Sequence, residues 1–167
     1  LGMPMGMYSL YLEQERNKSE QLLHNIMPKA IADRTKTTNE TISIDNPEIS
    51  VLFADIVNFT VMSEKLSAEK IVGLLDEMFS KFDDLTEKFG IEKIKTIGDA
   101  YMVVTGLTSE EKEHAAILFE FGKELIKIAS SYSDHKGEPI TLRVGINSGP
   151  VVSGVIGKSK FSFDIWG

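Results

Sequence analysis

The sequence predicts an α+β fold: a ferredoxin-like βαββαβ core with an N-terminal helix before it and a C-terminal β-hairpin after it. Three observations carry that prediction. The apolar run over 49–57 has the β-branched and aromatic content and the length of a central strand. Two stretches, 67–90 and 108–132, repeat apolar residues at i, i+3, i+4 and i+7, the pattern of a helix that buries one face. Between them, two short apolar runs flank Gly98-Asp99, a dipeptide suited to a tight hairpin turn.

Residues 1–7 are Gly- and Met-rich and carry no visible chemistry. Residues 8–25 are helical in propensity, with Tyr8, Leu12, Leu22 and Ile26 near heptad positions and Glu15 and Ser19 in the same seam. That pattern fits a weak coiled coil and a solvated helix packing on its own domain equally well. Pro28 stops the helix, and 29–34 can start a shorter one. The Thr- and Asn-rich stretch 35–47 reads as linker, which divides the chain into a connecting helical segment, 1–34, and a main domain, 35–167. Asn39-Glu40-Thr41 matches a glycosylation sequon but has no weight in a chain without a secretory signal.

The 49–57 strand contains one acid, Asp55, among residues that favour burial. A carboxylate there needs a cationic partner, or an edge position where a ligand supplies one. Asn58 and Thr60 follow with turn and capping chemistry. Ser67 and Gly90 are the expected N-cap and C′ stop of the first long helix, and its Met and Phe stripe is core. Strands 91–97 and 101–105 form the hairpin, with Asp99 opening the second of them. Thr108-Ser109-Glu110-Glu111 is a capping box for the second long helix. Residues 140–146 alternate as a half-buried strand, Asn147-Ser148-Gly149-Pro150 is expected to turn the chain, and 151–156 to return it. Gly157-Lys158-Ser159 looks like the end of a phosphate-binding loop, but that pattern requires glycine at 152, which is Val152. His24, His114 and His135 are isolated and suit packing or surface roles rather than ligation.

With 167 residues, 42% hydrophobic and 26% charged, the chain fits one globular domain with an appendage. The formal charge of -7 and the lack of clustered Lys and Arg argue against a nucleic-acid surface. No segment approaches the roughly 20 apolar residues of a membrane span. The absence of Cys excludes disulfides, thiolate metal sites and Cys nucleophiles, and a cytoplasmic setting follows, including the cytoplasmic part of a membrane protein.

In the predicted topology the first and third strands are antiparallel neighbours, so Asp55 at the end of one and Asp99 at the start of the other reach the same edge. Paired carboxylates repel unless a cation intervenes, and a pair of Mg2+ or Mn2+ ions serves this purpose in phosphoryl chemistry. The alternative is that one acid is protonated or that each caps local backbone. The turn through Val57, Asn58, Phe59 and Thr60 offers backbone N–H groups suited to a phosphate.

With these residues in hand, the sequence resembles the catalytic domain of class III nucleotidyl cyclases, the adenylate and guanylate cyclases. Leu22-Leu23-His24-Asn25-Ile26-Met27-Pro28 resembles the family's connecting helix, and Phe53-Ala54-Asp55-Ile56-Val57-Asn58-Phe59-Thr60 its metal strand. Lys95-Thr96-Ile97-Gly98-Asp99-Ala100-Tyr101-Met102 resembles its metal hairpin. Arg143-Val144-Gly145-Ile146-Asn147-Ser148-Gly149-Pro150-Val151 resembles its late hairpin, and Phe163-Asp164-Ile165-Trp166-Gly167 its nucleotide-edge segment.

The resemblance implies a phosphorus-oxygen lyase in which Asp55, the backbone carbonyl of Ile56 and Asp99 hold two metal ions, while Lys95 and Asp164 select the base. Adenine offers an acceptor at N1 and a donor at N6, which suit an ammonium and a carboxylate; guanine inverts both. Guanylate cyclases typically carry Glu and a small Cys or Ser at those two positions, so the resemblance implies ATP as substrate and cyclic AMP as product. It implies a two-fold homodimer, since one chain carries both the metal and the base-reading sets, and an upstream sensor or membrane domain acting through the N-terminal helix. The family pattern continues past Trp166-Gly167 with an Asn, an Arg that stabilises the transition state and a phosphate-binding Lys, which this sequence lacks; the chain alone is therefore expected to be inactive. The alternative is a cyclase-homology module that dimerises and regulates without turnover.

Overall fold

The computed structural model of the protein describes residues 2–37, 42–107, 113–157 and 160–167. In chain order the elements are α1 (Met5–His24), α2 (Lys29–Thr37), β1 (Ser43–Ile56), α3 (Phe59–Lys65), α4 (Ala68–Phe89), β2 (Glu92–Ile97), β3 (Ala100–Thr105), α5 (His114–Ser130), β4 (Leu142–Ile156) and β5 (Ser162–Trp166). The strands form one sheet in the order β2-β3-β1-β4-β5. Its first four members have the ferredoxin-like arrangement expected from βαββαβ order, and β5 follows beside β4. Among the described residues no helix is long and apolar enough to cross a membrane.

The chain forms two compact units, one comprising Leu1–Ile44 and Ser153–Asp164, the other Asp45–Val152 and Ile165–Gly167. In the larger unit, α4 and α5 pack on one face of the sheet. Ser67 caps α4 by accepting the Lys70 N–H at 3.3 Å, and Gly90 ends the helix in the left-handed region at φ +66°. The inner face of α4 buries Met78 and Phe82, whose ring meets Tyr101 edge-on at 5.3 Å. From α5, Leu118, Phe121 and Leu125 join Leu52, Ala54 and Val103 in the same core. Each large apolar side chain fully buried in this way contributes about 1.5–3 kcal/mol. A Cβ on Gly122 would come within 3.3 Å of Leu52 and Val144, so the missing side chain lets α5 lie close to β1 and β4.

β1 and β3 are antiparallel, with Phe53 opposite Met102 and Ala54 opposite Tyr101. β2 and β3 form the hairpin, closed by Gly98-Asp99 with Ile97 opposite Ala100 and Gly98 at φ +58°. In the smaller unit α1 buries no residue. There Met27, Ile31, Ala32, Ile42, Val155 and Phe163 are buried. The Val155 N–H donates to the Ile42 carbonyl at 3.1 Å, and Lys36 pairs with Glu20 at 3.3 Å to link α2 with α1.

Three expectations change. The helix read from residue 8 begins at Met5. Part of the stretch read as linker is strand: β1 starts at Ser43, and Ile42 and Asn46 turn inward while Ser43 and Asp45 turn out. This is a period-2 pattern in which an inward asparagine replaces an apolar residue. The expected turn at Asn147-Ser148-Gly149-Pro150 is absent, because β4 runs unbroken from Leu142 to Ile156. Gly145 and Gly149 are not in the left-handed region, and the Ser148 hydroxyl is hydrogen-bonded to that of Ser50 on β1, a contact that holds the strand in place. Proline also biases the residue before it toward extended backbone, which a strand accommodates. The left-handed glycine that follows β4 is Gly157, at φ +106°, so the C-terminal hairpin lies between β4 and β5. The capping box at 108–111, the sequon at 39–41 and residues 158–159 fall outside the described residues.

Candidate functional site

Side chains on β1 alternate between the helix-covered face and the opposite one. Leu52, Ala54 and Ile56 are buried in the core, and Phe53 and Asp55 project the other way. Asp55 therefore reaches the sheet surface at the end of an otherwise apolar strand. It is not alone there. The Arg143 guanidinium, near the start of β4, donates from Nε to Asp55 Oδ1 at 3.1 Å and from Nη2 to Oδ2 at 3.2 Å. This two-pronged pair pushes the arginine's pKa further up, through hydrogen bonding to Asp55 first, its charge second and a smaller contribution from Asp99.

Asp99 comes to the same edge. From the β2–β3 turn its Oδ2 accepts the backbone N–H of Ile56 at 3.1 Å, so the second carboxylate is bonded to the residue following Asp55. Among the described residues no group of three His, Cys, Asp or Glu side chains surrounds a cation position. What the edge offers is two carboxylates and main-chain oxygen, a hard-oxygen donor set that suits Mg2+ or Mn2+ and not a soft metal.

Beyond the edge, Asn58 sits at the N-cap position of α3 with φ +58°, the one non-glycine residue in that region among those described. Its side chain makes no capping bond, but its carbonyl accepts the Met62 N–H at 3.1 Å and starts the helix. Phe59 packs against the core, while Asn58 and Thr60 are exposed beside it. The first-turn N–H groups of α3 have no acceptor within the helix itself.

Lys95 lies on β2 opposite Met102, which is opposite Phe53, and these three share the face that carries Asp55. Lys93 is directed differently. The register shifts between Lys93 and Lys95, leaving Ile94 as the extra residue of a bulge, and Lys93 lies opposite Val103 on the helix side. There its ammonium binds Asp83 of α4 at 2.8 Å, and Asp83 also accepts the hydroxyl of the buried Tyr101. The two lysines, which a regular strand would put on one face, thus serve opposite faces. Asp164 belongs to the other compact unit, half-buried in β5. On the face of Phe53 and Met102 a cavity of about 400 Å³ opens, lined also by Val51, Ile146 and Ile165.

Sequence reasoning missed Arg143 and Asp83. Arg143 was within reach, because it projects from the alternating strand that the βαββαβ order places beside the one bearing Asp55. Asp83 gave no such signal, since its role depends on the bulge. Of the histidines, His114 packs: its Nδ1 and Ser50 Oγ share a buried hydrogen bond of 2.6 Å.

The family described as the adenylate and guanylate cyclase catalytic domain matches residues 43–167. The chain belongs to this family. The cyclase domain is 42% identical over 157 residues to an adenylate cyclase of Mycobacterium tuberculosis (strain ATCC 25618 / H37Rv), a match covering 93% of this chain and 35% of that protein. It is 35% identical over 160 residues to the guanylate cyclase soluble subunit beta-2 of Rattus norvegicus, covering 95% of this chain and 24% of that one. The solved catalytic core of a rhodopsin-guanylyl cyclase with converted specificity, in complex with ATPalphaS, superposes with a TM-score of 0.69 at 34% identity, covering 78% of this chain and 70% of that one. This is a class III cyclase catalytic domain related to both adenylate and guanylate cyclases, and it spans about a third or less of the length of these curated relatives.

Proposed function

We propose that the chain is the catalytic domain of an adenylate cyclase, converting ATP to 3′,5′-cyclic AMP and pyrophosphate as a homodimer, with 1–34 as the segment that couples it to an upstream sensor. The observation that carries this reading is the acid edge, where the carboxylate of Asp99 is bonded to the N–H of Ile56 beside Asp55. Asp55, the Ile56 carbonyl and Asp99 are the groups that would hold two Mg2+ or Mn2+ ions. When bound, such ions lower the pKa of the ribose 3′-hydroxyl and neutralise the triphosphate.

The chain's own residues supply position and selection. The start of α3, at Asn58, Phe59 and Thr60, orients the triphosphate through backbone N–H groups. Lys95 donates to N1 of adenine and Asp164 accepts from its N6 amino group, a pairing that leaves guanine mismatched at both points. The Ile94 bulge supports this role for Lys95, because it removes Lys93 to the other face. Two copies related by a two-fold axis would carry two equivalent sites.

One observation favours a second reading, a dimerising regulatory module. Arg143 satisfies Asp55 without any ligand. The deciding experiment measures cyclic nucleotide formation by the full-length protein with ATP or GTP under Mg2+ or Mn2+. Cyclic AMP from ATP, lost in Asp55→Asn, supports the enzyme; no turnover with either nucleotide or metal supports the module.

A further inference from the structure

We infer that Arg143 sets the cation affinity of the acid edge: its guanidinium is the resident counter-ion of Asp55, and a divalent cation engages Asp55 only by displacing it. This rests on the metal role proposed for Asp55. Each carboxylate oxygen of Asp55 accepts one N–H of the same guanidinium. Asp99, in contrast, is held by a neutral backbone donor. The edge thus carries two negative charges and one positive, and a divalent cation brought to Asp55 would lie against a like charge unless Arg143 withdrew.

Two properties make this pair a competitor and not a permanent block. The side chains are 73% exposed for Arg143 and 39% for Asp55, so water replaces the lost bonds and withdrawal is inexpensive. The guanidinium does not release its proton, so the competition persists across the neutral pH range, as it would not for a histidine. An exposed ion pair of this kind changes an equilibrium by up to about fivefold. Arg143 is therefore a positioning residue, one that keeps the edge poorly occupied by free cations and holds Asp55 in a fixed rotamer until they bind.

The test is Mn2+ binding to the full chain without nucleotide, followed by the electron paramagnetic resonance signal of free Mn2+. The proteins compared are wild type, Arg143→Gln, Arg143→Lys, Asp55→Asn and the Arg143→Gln/Asp55→Asn double variant. Arg143→Gln should raise the affinity, by up to about fivefold, and Arg143→Lys, which keeps the charge but loses the fork, by less. The double variant should show no gain over Asp55→Asn, because the effect acts through Asp55. Unchanged or weaker Mn2+ binding in Arg143→Gln, with binding lost in Asp55→Asn, overturns the counter-ion role and leaves the metal reading intact. Unchanged binding in Asp55→Asn overturns the metal reading itself. Should Arg143→Gln fail to fold, as judged by circular dichroism, Arg143→Lys decides alone: affinity no higher than wild type refutes the inference.

Discussion

Replacing Asp83 with alanine should destabilise the domain more than replacing Tyr101 with phenylalanine, although both remove the same hydrogen bond. Tyr101 is fully buried, its hydroxyl donates to Asp83, and its ring lies 5.4 Å from Phe79 and 5.3 Å from Phe82. Tyr101→Phe keeps those ring contacts and leaves Asp83 with Lys93 at 2.8 Å and with water, since the aspartate side chain is 48% exposed. The cost is that of one hydrogen bond to a charged group, about 1.5 kcal/mol, the low end of the usual range because the acceptor keeps Lys93 and water. Asp83→Ala instead leaves a buried hydroxyl with only Thr86 as a side-chain partner, at up to about 1–3 kcal/mol, and removes the Lys93 partner, worth about 0–1 kcal/mol at such exposure. Urea unfolding at constant m should therefore place the midpoint of Asp83→Ala below that of Tyr101→Phe. Burial, and then the bond to Asp83, raise the tyrosine's pKa above its ordinary value. The stability linked to that shift is complete below the ordinary tyrosine pKa and is lost as pH climbs above it. Wild type should thus lose stability more steeply above pH about 10 than Tyr101→Phe. A larger loss in Tyr101→Phe than in Asp83→Ala, or identical alkaline profiles, would refute this account of the network.

Asp55→Asn and Asp99→Asn should each reduce cyclic nucleotide formation by the full-length protein by at least about 10²-fold, with circular dichroism spectra like wild type; near-normal rates would remove these acids from the reaction. Lys95→Glu combined with Asp164→Cys should lower the ATP to GTP preference in competition kinetics, and an unchanged ratio would show that neither residue reads the base. Burial raises the pKa of Glu92, so its folded state favours the protonated form and that contribution fades as pH rises past the ordinary glutamate range. Glu92→Gln should consequently raise the neutral-pH melting temperature and lose that advantage in acid; equal shifts at both pH values would contradict it.

Much of the fold was legible because its periods are strong. The apolar stripe of α4, its Ser67 cap and its Gly90 stop all lie where the sequence puts them, and βαββαβ order alone brings β3 beside β1. Elsewhere local chemistry misled. Asn147-Ser148-Gly149-Pro150 has every turn-forming residue, yet β4 passes through it, and hydrogen bonding to Ser50 is a tertiary fact that no local window contains. The approach of Asp55 and Asp99 could be read from topology, and Arg143 needed only the same step carried one strand further. The separation of Lys93 from Lys95 could not be read at all, because a bulge leaves no mark on a sequence whose neighbours are all strand-compatible.

That bulge gives the hairpin two independent reading frames. From the Gly98-Asp99 turn to Lys95 the ladder counts one way, and from Lys93 to Glu92 it counts one residue off. Ile94 absorbs the difference. Deleting that one residue would leave Lys95 opposite Met102 and Lys93 opposite Val103, with the pairings on both sides retained and the ladder made regular. Point insertions and deletions elsewhere in a strand throw every later side chain onto the wrong face. Here the chain has a place where its length can change by one without touching the orientation of either lysine, so the segment bearing Lys95 and the segment anchored to Asp83 can vary separately over the history of such a gene.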